Sequence, residues 1–365
     1  MTRLGVSAAV VAGRLVPGDM DVADGRVVAV GLPGRGSGLA VPGFVDLQIN
    51  GFGGVDFLAA DPGGYAVAGE QLLRTGVTAY QPTLITSPLA DVTAALGVLR
   101  EVVACADSGP RVLGAHLEGP FLSPERPGTH PVEHMRDPDL LLLQRMLESG
   151  PVTHITLAPE RPGALDLVKQ LVADGIVVAC GHTDADAREA HAAFDAGAST
   201  VTHLFNAMRP STPRHPALIG VALTRPDVTV QLIVDGVHLA AETVLVAWRA
   251  AAGRVALVTD AIAAAAQGDG GYRLGQVEVA VRGAEVRRGD GTLAGSVLTM
   301  DAAVRNLVSF GVPVLDAVAA ATSIPARVAG QPDIGVLRVG GPADVVVLDD
   351  ELQVRRVLCR GREAG

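Results

Sequence analysis

Four side chains able to bind a metal or move a proton each close a short apolar run in this sequence. Glu118 follows residues 111–117, His182 follows 176–181, His203 follows 199–202, and Asp260 follows 254–259. One carboxylate and two imidazoles make a common three-ligand set for a catalytic Zn²⁺, with one position left for water. Zn²⁺ is the leading candidate, and Fe²⁺, Co²⁺ or Mn²⁺ suit the same donors. Such an ion acidifies a water and polarises a scissile carbonyl. Asp260 is a residue type that can take the water's proton and later return one to a departing amine. A lone His at a strand end more often serves as a core hydrogen-bonder, and an Asp there often caps the next helix. Four such endings in one chain instead point to a metal-dependent hydrolase.

Other residues have the types expected around such a centre. Asp46, Gln48 and Asn50 alternate along one run, so they share a face and need polar partners if buried. They are expected to support the active site. His130, in a Pro/Gly-rich loop after Glu118, and His238 are candidate substrate contacts at the rim, with ordinary surface histidines as the alternative. Asn206, Ala207 and Arg214 follow His203, and backbone amides plus an Arg can bind a phosphate. The segment Leu293-Ala294-Gly295-Ser296 reads either as a loop that approaches a ligand closely or as a plain turn. His116 is expected to be a satisfied core residue. His134, His154, His191 and His215 are given no functional role.

Strand ends can bring such groups together only if the strands share one sheet. Strand candidates at 43–50, 77–83, 111–118, 153–158, 176–182, 199–203, 228–235 and 254–260 alternate with helical stretches such as 88–106, 139–149, 164–174 and 184–196. That alternation predicts an α/β fold, a (β/α)₈ barrel whose functional groups collect at the C-terminal rim of its strands. Residues 271–288 alternate apolar and polar as a hairpin would, and 302–309 and 314–321 predict closing helices. Both termini read as β, with Asp24-Gly25 as a hairpin signal. The expected organisation is a composite β-sandwich from residues 1–41 and 335–365 beside a barrel at 42–334.

A chain of 365 residues that is 48% hydrophobic can fill such a core, and with 3% aromatic content the filling is mostly aliphatic. With 29 basic against 39 acidic residues, a nucleic-acid-binding face is not expected. No uninterrupted apolar run reaches the ~18 residues of a membrane span. The N-terminal run is broken by Arg14 and reads as an edge strand rather than a signal peptide. Three widely spaced cysteines show no disulfide framework and fit a reducing cytoplasm.

Taken in order, several segments resemble N-acetylglucosamine-6-phosphate deacetylases, a branch of the amidohydrolase superfamily. They are 42–54, His116-Leu117-Glu118-Gly119-Pro120-Phe121, Gly128-Thr129-His130, Gly181-His182-Thr183-Asp184-Ala185, Thr202 through Met208, Asp235-Gly236-Val237-His238, Thr259-Asp260-Ala261 and 293–296. The resemblance implies hydrolysis of N-acetylglucosamine 6-phosphate to glucosamine 6-phosphate and acetate. It assigns the metal to Glu118, His182 and His203, and acid/base duty to Asp260. It places the substrate against Thr129, His130, Asn206, Ala207, Arg214, Asp235, His238, Leu293, Ala294 and Gly295. It also implies a homodimer in which Arg214 reaches the neighbouring subunit's site. Where amidohydrolases often carry a His-x-His pair for a second metal, this chain has Gln48-Ile49-Asn50, so one divalent ion per subunit is expected. Alternatives are a deacetylase of N-acetylgalactosamine 6-phosphate or another amino-sugar phosphate, a dihydroorotase-like enzyme, and an inactive barrel scaffold.

Overall fold

Eight short parallel strands surround the centre of the molecule in the computed structural model, which describes residues 2–34, 36–105 and 109–364. They are β1 (Phe44–Ile49), β2 (Val77–Ile85), β3 (Ala115–Glu118), β4 (Val152–Leu157), β5 (Val177–Cys180), β6 (Thr200–Val201), β7 (Thr229–Leu232) and β8 (Val255–Leu257). Strand β1 pairs with β2, and each later strand pairs with its successor. The ring closes just beyond the strands: Asn50 N donates to Ala261 O at 2.7 Å and Asp260 N to Gln48 O at 2.8 Å. The fold is thus a (β/α)₈ barrel with added antiparallel sheets.

Most of the observed strands are shorter than the apolar runs suggested, although β2 runs two residues further, to Ile85, and β4 keeps its expected length. His182, His203 and Asp260 have φ of +46°, +28° and +49°, a left-handed backbone that cannot continue a ladder. Strands β5, β6 and β8 therefore stop two or three residues before the functional side chain. The third run is broken at Leu113-Gly114, leaving Arg111–Val112 as a separate piece paired with β2. At Gly114, φ is +94° and an added Cβ would lie 2.6 Å from the Thr153 side chain, so the kink needs glycine.

Helices lie between the strands. The predicted 88–106 helix is Leu89–Ala104, and its expected end at Ala106 lies outside the described residues. The predicted 139–149 and 164–174 helices are Leu140–Ser149 and Ala164–Ala173, with Asp139 capping the first. The helix expected from 184 begins at Ala187, because Asp186 and Glu189 form the capping box while the Asp184 side chain is held by two arginines. The inserted hairpin gains a third strand: Gly270–Leu274, Val277–Arg282 and Glu285–Arg287 form one antiparallel sheet. Met300–Ser309 and Val314–Ala321 follow, then a short helix, Ser323–Val328, that the sequence did not suggest.

The two chain ends build a sandwich. One sheet holds Thr2–Arg3, Asp19–Ala23 and Arg26–Leu32. The other mixes Ala8–Val11, Arg14–Pro17 and Leu39–Pro42 with Val345–Leu348, Val354–Cys359 and Arg362–Glu363. Leu4, Val6, Met20, Val22, Val345 and Leu358 share one apolar cluster across them. Among the described residues no helix is long and apolar enough to cross a membrane.

Candidate active site

Glu118, His182 and His203 converge at the C-terminal rim of the barrel. Glu118 Oε1 lies 3.2 Å from His182 Nε2 and 3.0 Å from His203 Nε2, and the two Nε2 atoms are 3.0 Å apart. All three residues are buried. His182 Nδ1 lies 3.1 Å from the Arg126 carbonyl oxygen, which can only accept. The ring's proton therefore sits on Nδ1, and the Nε2 lone pair faces the other two donors. Two imidazole nitrogens and a carboxylate oxygen this close need positive charge between them. Burial pushes the Glu118 carboxyl up, but the close approach of the His130, His182 and His203 rings outweighs it and holds the group well below the usual range. Burial pulls His203 down, yet the bond and charge of Glu118 raise it overall. This is the chemistry of a divalent-cation site, and the donor set fits one.

Glu118, His130 and His182 also offer ligand atoms within 4.8 Å of one another. Hydrogen bonding separates the two candidates for the third ligand. The Thr86 N–H donates to His130 Nδ1 at 3.3 Å, so the His130 proton sits on Nε2, 3.5 Å from Glu118 Oε2. Burial pushes His130 down to about 4, which keeps it neutral at pH 7. His130 is thus a donor aimed into the site, whereas His203 presents Nε2 to the cluster. His130 is buried and lines the cavity over the cluster.

Asp260 stands beside this cluster. Asn50 Nδ2 donates to its Oδ1 at 2.7 Å and Gln48 Nε2 donates to the same atom at 3.3 Å. Gln48 Nε2 also reaches Glu118 Oε1 at 3.0 Å, so one amide spans both carboxylates. Burial, then the charge of Glu118, raise the Asp260 carboxyl to about 6. Asp46 lies beneath it, accepting from Thr259 Oγ1 at 2.6 Å and Thr259 N at 3.2 Å. Burial pushes Asp46 up to about 7. Ser296 N donates to the Asp260 carbonyl at 2.9 Å, tying the 293–296 loop to the same turn.

A cavity of about 230 Å³ opens over the cluster. Thr129, His130, Asn206, Ala207, His238, Leu293 and Gly295 line it together with Glu118, His182, His203, Asn50 and Asp260. Thr129 Oγ1 is buried without a partner. Asn206 Nδ2 donates back to the His203 carbonyl at 3.1 Å, fixing the turn after that residue. Asp235 does not line the cavity: it accepts His238 N and lies 2.7 Å from His238 Nδ1, which orients the ring. Ala294 is fully buried and Gln48 lies below the floor. Arg214 is exposed and is absent from the lining. His116 is a satisfied core residue between Thr83 and Thr156. The sequence reading missed the Thr86 backbone donor and the group Arg126, Asp184 and Arg209 behind His182, which no local pattern marks.

A parallel barrel with a Glu/His/His cluster and a neighbouring carboxyl at its strand-end rim defines a metal-dependent hydrolase. The chain belongs to the amidohydrolase family, which it matches over residues 39–364. It is 40% identical over 342 residues to the N-acetylglucosamine-6-phosphate deacetylase of Homo sapiens, covering 89% of this chain and 83% of that relative. It is 35% identical over 352 residues to the N-acetylgalactosamine-6-phosphate deacetylase of Escherichia coli O157:H7, covering 94% and 93%. Among solved structures it resembles an Asp-to-Ala mutant of N-acetyl-D-glucosamine-6-phosphate deacetylase from Mycobacterium smegmatis, in complex with N-acetyl-D-glucosamine-6-phosphate. That likeness has a TM-score of 0.94 and 38% identity, over 100% of this chain and 99% of the other.

Proposed function

We propose that this chain removes the acetyl group of N-acetylglucosamine 6-phosphate, giving glucosamine 6-phosphate and acetate. The observation that carries the reading is the convergence of Glu118 Oε1, His182 Nε2 and His203 Nε2 beside Asp260 on the floor of one cavity. Those three residues would hold a single divalent ion, with Zn²⁺ ahead of Fe²⁺, Co²⁺ or Mn²⁺. Bound there, the ion supplies Lewis acidity, which lowers the pKa of water and polarises the acetamido carbonyl.

The chain's own groups supply the rest. Asp260 Oδ1 is taken by the Asn50 and Gln48 amides, which leaves Oδ2 to receive the proton of the attacking water. As the C–N bond breaks, the same oxygen returns that proton to the amine nitrogen. His130 faces the acetamido group as a neutral Nε2–H donor. Asp235 holds His238 by Nδ1, so His238 Nε2 accepts from a sugar hydroxyl. The 293–295 loop and Thr129 close the sides. Asn206 and the Ala207 backbone receive the phosphate, joined by Arg214 of a neighbouring subunit. Arg214 is exposed and lies outside its own chain's cavity, so the phosphate role assigned to it falls in a neighbouring subunit's site. Gln48 and Asn50 serve as supports for the two carboxylates, and no second ion is assigned to them.

We further infer that residues 1–41 and 335–365 form one unit beside the barrel at 42–334, supported by their shared sheet and apolar cluster. Three unpaired cysteines support a reducing, cytoplasmic setting. The likeness to the E. coli galactosamine relative favours a second reading, deacetylation of N-acetylgalactosamine 6-phosphate. Acetate release from the two epimers, compared as kcat/KM, decides between them. A higher value for the glucosamine epimer is expected, and turnover of neither overturns both readings.

A further inference from the structure

Asp184 lies two residues beyond His182 and touches nothing in the cavity. Its carboxylate nevertheless joins two of the loops that build the site. Oδ1 accepts from Arg126 Nε at 2.8 Å, and Arg126 Nη2 is also 2.8 Å away. Oδ2 accepts from Arg209 Nε at 3.1 Å and from Arg209 Nη2. One carboxylate thus receives two guanidinium forks, from the loop after β3 and the loop after β6. The backbone there is fixed independently: Glu160 accepts from Asp184 N at 2.7 Å and from Thr183 Oγ1 at 2.5 Å.

Both arginines lead back to the site. The Arg126 carbonyl accepts the His182 Nδ1 proton at 3.1 Å and so sets the tautomer that turns the Nε2 lone pair inward. Ser123 N, in the same loop, donates to the His182 carbonyl at 2.9 Å. Gly128 packs so closely that an added Cβ would lie 3.0 Å from His182 Cε1 and 3.5 Å from the Ala207 Cβ. On the other side Arg209 N donates to the Thr183 carbonyl at 3.0 Å, and Thr183 N donates to the Ala207 carbonyl at 3.2 Å.

We propose that Asp184 is a positioning residue. By clamping Arg126 and Arg209 together it holds the carbonyl that orients His182 and the turn that presents Asn206 and Ala207. The inference rests on the reading of His182 as a metal ligand. Exposed ion pairs contribute little to stability, and Asp184, Arg126 and Arg209 are each partly exposed, so the clamp acts through geometry rather than through fold stability. Groups that orient a metal-bound His typically change metal affinity by about 10–100-fold when altered.

Asp184→Asn tests this, because an amide accepts at one end only and must release one arginine. Zn²⁺ affinity of the metal-stripped full chain is measured by competition with a chromophoric chelator. Amide hydrogen exchange is followed over residues 123–130, and melting temperature over the whole fold. Asp227→Asn, which breaks the Arg225–Asp227 surface pair, is the control. The expected result is a loss of roughly tenfold or more in Zn²⁺ affinity with faster exchange at 123–130, a melting temperature near that of the parent, and no affinity change in the control. Equal affinity and exchange in Asp184→Asn and a metal-binding parent overturn this inference alone. A parent chain that binds no Zn²⁺ overturns the ligand assignment beneath it, and the inference with it.

Discussion

Replacing Asp260 by Asn separates holding the ion from moving the proton. In the folded chain Oδ1 already accepts from Asn50 Nδ2 at 2.7 Å and from Gln48 Nε2 at 3.3 Å. An Asn at this position must turn its oxygen to those two donors. Its NH₂ then occupies the place of Oδ2 and has no lone pair for the water's proton. Both the base step and the acid step fail together, rather than weakening in part. General acid–base groups typically contribute about 10²–10⁴-fold each. We therefore expect kcat to fall by about 10³–10⁴, equivalent to roughly 4–5.5 kcal/mol of barrier. The Glu118, His182 and His203 cluster does not include Asp260, and losing a negative charge beside Glu118 relieves repulsion. Metal content of about one ion per chain and the melting temperature should both persist. Acetate release from N-acetylglucosamine 6-phosphate, with metal measured by plasma mass spectrometry on the same sample, is the assay. A variant that keeps one-tenth or more of parental kcat with its metal in place refutes the assignment of Asp260.

Three further outcomes follow from the same geometry. Asn50→Leu removes the shortest donor to Asp260; a hydrogen bond to a charged group is worth about 1.5–3 kcal/mol, so kcat should drop about 10–100-fold in steady-state assays. Gly128→Ala places a Cβ 3.0 Å from His182 Cε1 at a φ of +55°, a conformation that costs about 1–2 kcal/mol for an L-residue. Lower melting temperature and weaker Zn²⁺ binding should appear together there, and unchanged binding would contradict the packing of that loop on His182. Asp46 is raised from 3.8 to about 7 by burial, so the folded chain holds its proton more tightly than the unfolded one between those values. Its contribution to stability is present below about pH 4 and is lost as pH rises towards 7. Asp46→Asn should remove that loss, melting higher than the parent at pH 8 and close to it at pH 4, as thermal unfolding at the two pH values will show.

The barrel was legible because its signals are local: short β-branched runs, capped amphipathic helices, and polar residues at period two in Asp46, Gln48 and Asn50. The four strand-end groups were legible for the same reason, since each terminates an apolar run. The tight turns that aim them were not. Left-handed backbone, as at His182, His203 and Asp260, is uncommon outside glycine and is set by tertiary packing rather than by a local pattern. The tautomer of His130 is set by a backbone donor from Thr86, 44 positions away in sequence. The pairing of Arg126 and Arg209 on Asp184 joins three separate loops and leaves no periodic trace. The third strand of the insert was missed because Glu285–Arg287 is too short to show a pattern.

The central claim is that Glu118, His182 and His203 hold one catalytic ion beside Asp260. Its most direct test is acetate release from N-acetylglucosamine 6-phosphate by the purified chain, before and after metal removal, during stepwise return of Zn²⁺ or Fe²⁺. Activity should vanish on chelation and return in full at about one ion per chain. Undiminished activity in a metal-free chain, or recovery that requires two tightly held ions, would contradict it.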